Sequence, residues 1–315
     1  MLNEGEMLMK KSLIALAVAG AMTAPMIAQA DATLYGSLRV KMVDTDLQEM
    51  DIADNSSRIG IKGSSDLFSG AKAIYQFEQF INTEAGAWGG GRLAYIGATG
   101  DFGTVQIGRM WTPYALWTVF TTDIVDNGTS GDSGYIIGAH RTPETLAYIS
   151  PNMGGFQFAG AVLTSDSDDT SDSEVAENAG VDVAHVAAKF EAAGFMGAVS
   201  YLDYDEDAVK FGGNVYNDVA SLGLSYTLGD LYLGARYEDR DLVSADDQDA
   251  WELAGSYTMG HTTLLANYID DDIRDDAMWS LEAQQKLGKQ ARVFASWVDY
   301  GDNNDGVEVG YRVDF

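Results

Sequence analysis

Cysteine is absent from all 315 residues, which removes disulfide frameworks, thiolate metal sites and thiol nucleophiles together. Basic residues are scarce: Lys and Arg number 19 against 48 Asp and Glu, a formal charge of −29. Without a basic patch to neutralise phosphates, nucleic acid is excluded as a partner. Long apolar runs are missing too. Mean hydropathy is −0.11, and nothing approaches the ~20 apolar residues that a spanning helix needs. Histidine occurs only as His140, His185 and His261, and no pair has zinc spacing. What remains is 46% apolar and 11% aromatic, with 35 Gly, 16 Tyr and only 4 Pro. That is a strand-rich composition.

The amino terminus reads as an address. Residues 9–30 run MKKSLIALAVAGAMTAPMIAQA, with Lys10 and Lys11 ahead of the apolar stretch Leu13 to Met22. Ala28-Gln29-Ala30 fits a signal-peptide cleavage site, so the mature chain is expected to start at Asp31. Residues 1–8 precede the natural-looking start at Met9. Removing 1–30 takes away Glu4, Glu6, Lys10 and Lys11, leaving the charge at −29.

From residue 31 onward the chain alternates with period two, the mark of strands with one apolar face. Leu34, Leu38, Val40 and Met42 alternate with Ser37, Arg39 and Lys41; Leu231, Leu233, Ala235 and Tyr237 alternate with Gly234, Arg236 and Glu238. The carboxyl end repeats the pattern through Val307, Val309, Tyr311, Val313 and Phe315. Tight turn signals at 66–70, 99–103, 151–155, 191–194, 229–230, 259–261 and 288–289 interleave with longer polar stretches. The longer stretches are 45–55, 83–90, 110–140, 165–180, 204–215, 241–249, 270–276 and 300–305. Fifteen connections join sixteen strands, and the 285 residues from Asp31 allow ~10 per membrane strand plus connections. A single domain over 31–315 is expected.

A soluble β-sandwich also alternates. Here the polar face carries many Arg, Lys, Asp and Glu, and aromatics flank the apolar one: Tyr35, Tyr75, Tyr95, Trp251, Tyr257, Tyr268, Trp279 and Trp297. A closed barrel with lipid outside and water inside accommodates both faces, and closure leaves no edge for lipid to meet. The expected fold is therefore an all-β, 16-stranded antiparallel transmembrane barrel. The competing readings are an outer-membrane β-barrel hydrolase and a secreted carbohydrate-binding β-protein. Gly131-Asp132-Ser133-Gly134 imitates a protease nucleophile, but every histidine lies downstream of it. Asp302-Asn303-Asn304-Asp305-Gly306 starts like a calcium loop and lacks the closing Glu. No enzyme chemistry, metal or cofactor is expected.

Several segments in order resemble the Gram-negative general porins: Ala32 to Gly36, Ser57 to Gly63, Gly91 to Gly97, Phe102 to Arg109, Arg141 to Ser150 and Tyr311 to Phe315. That resemblance implies short periplasmic turns, long extracellular loops and an outer-membrane diffusion channel for small hydrophilic solutes and ions. It also implies a homotrimer latched by the second loop near 83–90, and a third loop, here 110–140, folded into the barrel to narrow it. Trp111, Trp117 and Phe120 give that loop apolar area with which to dock. By position it offers Asp123 and Asp126 as constriction carboxylates. By alternation Arg58, Arg92 and Arg141 point inward, as do Arg39 and Lys41; with Arg109, which ends its strand and shares parity with outward Ile107, the resemblance makes them the candidates for the basic wall of the constriction. Tyr311, Val313 and Phe315 resemble the signal read by the barrel assembly machinery. Asp166, Asp168, Asp169 and Asp172 are candidates for divalent bridging to lipopolysaccharide phosphates, beside the plainer reading of a solvated acidic loop. Modest cation preference, rising as salt is diluted, is expected because screening of the acidic mouth weakens then.

Overall fold

The computed structural model describes residues 31–129, 140–164, 181–205, 210–211, 214–243, 246–272, 276–301 and 303–315. The expected signal peptide, the Gly131-to-Gly134 motif and the acidic run containing Asp166, Asp168, Asp169 and Asp172 lie outside the described residues. The strands are β1 Asp31–Thr45, β2 Gln48–Asp54, β3 Arg58–Asp66, β4 Lys72–Asn82, β5 Ala87–Gly100 and β6 Gly103–Trp111. Then follow β7 Arg141–Ile149, β8 Phe156–Leu163, β9 Val183–Ala192, β10 Phe195–Tyr204, β11 Lys210–Phe211 and β12 Asn214–Leu228. The last six are β13 Leu231–Leu242, β14 Gln248–Met259, β15 Thr262–Asp271, β16 Met278–Lys286, β17 Ala291–Asp299 and β18 Asp305–Asp314.

All belong to one antiparallel sheet that closes where β1 meets β18, from Ser37↔Asp314 to Thr45↔Gly306. The carboxyl end seals the seam: Gly36 N donates to the Phe315 carbonyl at 2.9 Å and Phe315 N to the Gly36 carbonyl at 3.0 Å. β2 and β3 both pair with β1 and form one spanning strand broken at 55–57. β11 is a two-residue arm on β12. The barrel therefore has sixteen spanning strands.

Two faces follow from the alternation. Leu34, Leu38, Phe77, Ile96, Leu146, Leu222, Trp251, Leu281 and Trp297 stand exposed on the outside, where lipid covers them. The buried apolar side chains lie inside instead, clustered between the inner wall and the connection after β6. All seven tight turns fall between strands at one end of the barrel, as the sequence signals require.

Three expectations are corrected. The stretch 45–55 is not a loop: β1 turns at Asp46-Leu47 and returns as β2, so its polar residues sit in a hairpin ladder. The stretch 83–90 shortens likewise, because β5 already pairs with β4 from Ala87. Tyr35 and Tyr95 do not belong to the lipid-facing aromatics. Tyr35 donates to Glu78 Oε2 at 2.9 Å and Tyr95 to Gln76 Oε1 at 2.9 Å, both inside the barrel. Their hydroxyls find polar partners there, which lipid does not supply.

Candidate functional site

After β6 the chain turns into the barrel. Thr112 caps the short helix Pro113–Trp117 by accepting from Ala115 N, Pro stands in its first turn, and a 3-10 turn follows over Val119–Thr121. Pro and a β-hydroxyl cap favour a helix start at this point. Tyr114 and Val119 pack on Leu163, Val183, Leu202 and Val219, while Trp117 sits on Ala159, Ala187 and Ala198. Small residues on the wall make room for the ring. The chain then crosses Gly223 and Gly234. A Cβ on Gly223 would stand 2.8 Å from Thr118 Cα, and one on Gly234 would collide with the Thr121 carbonyl.

Wall glutamates hold this loop. Tyr114 OH donates to Glu238, whose other partners are Arg236 and Arg240. Burial keeps the Tyr114 phenol well above its ordinary range, so it serves as a neutral donor. Thr122 Oγ1 donates to Glu252, which also receives Arg236 Nη1 at 2.9 Å. Glu282 accepts from Asp126 N and Asn127 N, both at 3.0 Å, and from Asn127 Nδ2, Gln284 Nε2 and Ser296 Oγ. Every one of those donors is neutral. Gly128 N donates to Glu308 at 3.2 Å, beside Lys41 Nζ at 2.9 Å. Bonds to an ionised acceptor are worth about 1.5–3 kcal/mol each, so this is firm anchorage.

Opposite the loop lies a basic arc. Arg39, Arg58, Arg92 and Arg141 line a cavity of about 370 Å³ with Asn55, Ser56, Trp111, Phe120, Asp123 and Asp126. Arg92 Nε donates to Glu78 Oε1 at 2.5 Å, and Arg58 Nε stands 4.0 Å from Glu78 Oε2. Arg92 and Arg141 both stack on Phe80, at 4.4 and 5.3 Å from its centroid, and on Trp111, at 5.8 and 5.0 Å. Ring faces attract cations, which lets two guanidiniums share one small space. Asp126 is gripped rather than open: Arg292 reaches it with Nε at 2.5 Å and Nη2 at 2.7 Å, and Arg312 Nη1 with 3.2 Å. Asp123 is exposed to the lumen. A loop folded across a closed barrel, with arginines facing carboxylates over this cavity, has the geometry of a constriction.

Comparison with known proteins agrees. The family description "Gram-negative porin" matches residues 15–306. The chain belongs to the Gram-negative porin family. A "Major outer membrane protein" of Halomonas elongata is 25% identical over 94% of this chain and 88% of its own length, and a "Monosaccharide porin" of a Halomonas species matches equally. A "Major outer membrane protein P.IB" of Neisseria gonorrhoeae is 27% identical over 95% of this chain and 96% of its own. Among solved structures, the "Anion-selective porin from Comamonas acidovorans" superposes with a TM-score of 0.76 at 18% identity, covering 91% of this chain and all of the other. This porin is an outer-membrane diffusion channel.

Of the residues that the sequence singles out in this porin, Arg39, Arg58, Arg92 and Arg141 from alternation and Asp123 and Asp126 from their place in the third loop line the same cavity. Arg92 arrives by another route than simple alternation. Ala94, its parity partner, is exposed outward while Tyr95 faces inward; a register shift at Glu78/Gln79 makes a bulge that turns Arg92 into the lumen. A second irregularity, between Gly108 and Met110, similarly separates Arg141 from the parity of Thr145. Lys41 does face inward but lines a different cavity, with Gln48, Tyr300 and Asn304, where it pairs with Glu308. Arg109 is partly buried and does not line the constriction cavity. Phe315 is exposed on the outside next to the seam. Alternation also turned Glu238, Glu252, Glu282, Arg292 and Arg312 inward. Nothing in that pattern tells a loop-holding side chain from one that merely faces water.

Proposed function

We propose that this porin passes small hydrophilic solutes and ions passively, without catalysis, through the gap between the loop over 112–129 and the basic arc. The observation that carries the reading is the cavity itself: inside a closed barrel, it is bounded by four arginines and by Asp123 and Asp126. Monosaccharides belong among the solutes, as the name of the Halomonas relative suggests. Selectivity is a contest of distances. Near the constriction Arg39, Arg58, Arg92, Arg141, Arg292 and Arg312 outnumber Glu78, Asp123, Asp126 and Asp314, whereas the whole chain carries −29. Remote carboxylates act across more than a Debye length of ~8 Å at physiological salt. The channel is therefore cation-preferring in dilute salt and loses that preference as salt rises. Reversal potentials across planar bilayers at two salt concentrations test it; anion preference in dilute salt would reject it.

The working unit is a homotrimer, delivered by a signal peptide over residues 9–30 and by recognition of the terminal Tyr311, Val313 and Phe315 by the assembly machinery. The trimer is supported by a solved outer-membrane protein of Vibrio cholerae described as a trimer form, which superposes with a TM-score of 0.69 at 17% identity, and by Trp88 exposed near the tip of the β4–β5 hairpin. Native mass measurement giving only monomers would remove it. Bridging of Asp166, Asp168, Asp169 and Asp172 to lipopolysaccharide through divalent cations predicts that chelators lower outer-membrane stability.

A further inference from the structure

A second cavity opens beside the constriction, toward the long connections. It measures about 470 Å³, within the ~300–1,000 Å³ usual for small-molecule sites. Lys41 lines it, whereas Arg39, two residues earlier on the same face of β1, lines the constriction cavity. That spacing sets the two positions ~7 Å apart along the strand. The walls are the β1–β2 hairpin and the connection 300–305, and they are tied together. Asp46 N donates to the Asp305 carbonyl at 3.0 Å, and Leu47 N to Asn304 Oδ1 at 3.3 Å. A Cβ on Gly306 would collide with the Asp44 carbonyl, so the two segments meet backbone to backbone. The cavity is therefore shaped by the fold itself, before any solute arrives.

Its chemistry is unlike that of the constriction. Lys41 Nζ reaches both oxygens of Glu308 at 2.9 Å, and the Tyr300 hydroxyl and Gly128 N also donate to that carboxylate. One cation and one anion cancel, and among the described residues no other charged side chain lines the space. A balanced pair gives a passing ion little net attraction. The rest of the lining is uncharged. The amides of Gln48 and Asn304 and the hydroxyl of Thr45 each combine donors with an acceptor. Asn304 spends its Oδ1 on Leu47 and keeps Nδ2 for other use. Val43, Ala53 and Met278 add an apolar floor. A sugar presents the matching combination: hydroxyls that both donate and accept, set around a ring of carbons. Few placed polar groups over an apolar base is the usual make-up of a small-molecule site.

We propose that this second cavity is a binding site for an uncharged monosaccharide, held at the mouth by Gln48, Asn304 and Thr45 before it enters the constriction. The proposal rests on the reading above that monosaccharides pass, and adds to it a saturable first stop outside the basic arc. Ions go by this stop, and sugars pause at it.

The test places the full-length protein in planar bilayers with potassium chloride and adds D-glucose. Single-channel current should fall saturably with glucose, beyond the linear loss of bulk conductivity. Gln48→Ala and Asn304→Ala should each raise the half-saturating concentration about fivefold, the worth of one neutral hydrogen bond. Both residues stand at the mouth, and heat-modifiable mobility on gels checks that each variant still folds. Arg92→Ala alters the constriction and not this cavity. It should change conductance while moving the half-saturating concentration less than about twofold. A conducting channel whose current falls only linearly with glucose overturns the site and leaves the channel reading standing. A shift in Arg92→Ala with none in Gln48→Ala or Asn304→Ala also overturns it, because the sugar then binds at the constriction. A folded, heat-modifiable barrel without conductance overturns both readings.

Discussion

The two arcs of the lumen wall present charged side chains by the same alternation and use them in opposite ways. On one arc Glu238, Glu252 and Glu282 are almost wholly buried, each saturated by loop donors or by Arg236 and Arg240. On the other, Arg39, Arg58, Arg92 and Arg141 border open volume. The carboxylate arc is structural because the loop lies on it. The arginine arc faces a cavity that the described part of the loop, 112–129, leaves in front of it. Whether a charge acts on stability or on traffic is decided by one covering segment, since a charge under cover needs a partner and a charge in the gap acts on passing ions.

The comparison is most readily broken at Gly234. Gly234→Ala places a Cβ into the Thr121 carbonyl, an overpacking worth about 1–3 kcal/mol. The loop should lift from the carboxylate arc, and single-channel conductance should rise; unchanged conductance would mean that the loop is held elsewhere. Glu282→Gln keeps the shape but weakens the grip on Asp126 and Asn127, by about 1.5–3 kcal/mol. Faster proteolysis within the loop and noisier open-channel current are expected from it. On the arginine side, Arg92→Ala should widen the gap and increase cation preference, while Asp123→Asn should reduce it. Each unit charge at ~8 Å in water contributes about 0.5 kcal/mol, or roughly a twofold change in permeability ratio. Asp126→Asn should move selectivity as Asp123→Asn does, since it leaves Arg292 and Arg312 less compensated; reversal potentials check all three. The smallest effect is Tyr35→Phe, which removes one donor to Glu78 for about 1 kcal/mol, seen as a slight fall in barrel melting temperature with little change in current.

The barrel was legible in the sequence because its signals repeat. Period-two alternation, seven tight turns and a terminal aromatic all point to one architecture, and an error in one strand leaves the rest intact. Local register was not legible. Arg92 reaches the lumen through a bulge that no count of residues announces, and the same bulge turns Tyr95 inward against strict alternation; Tyr35 reads as a girdle aromatic by residue type, whereas its parity with Ser37, Arg39 and Lys41 points inward. The partnership of Glu282 with Asp126 and Asn127 spans more than 150 residues. Alternation reports only which face a side chain occupies, so a contact made across the lumen leaves no trace in it.

The grip of Glu282 and Glu308 on the loop has a consequence for how this channel changes over generations. Three of the bonds come from the amides of Asp126, Asn127 and Gly128, and an amide is common to every residue but proline. Substitutions along the loop can therefore alter what the gap admits while these anchors persist. Selection is freer to retune the filter than to rebuild its mount: proline at 126–128 would remove an anchoring amide, and a side chain on Gly128 would run into the Tyr300 hydroxyl.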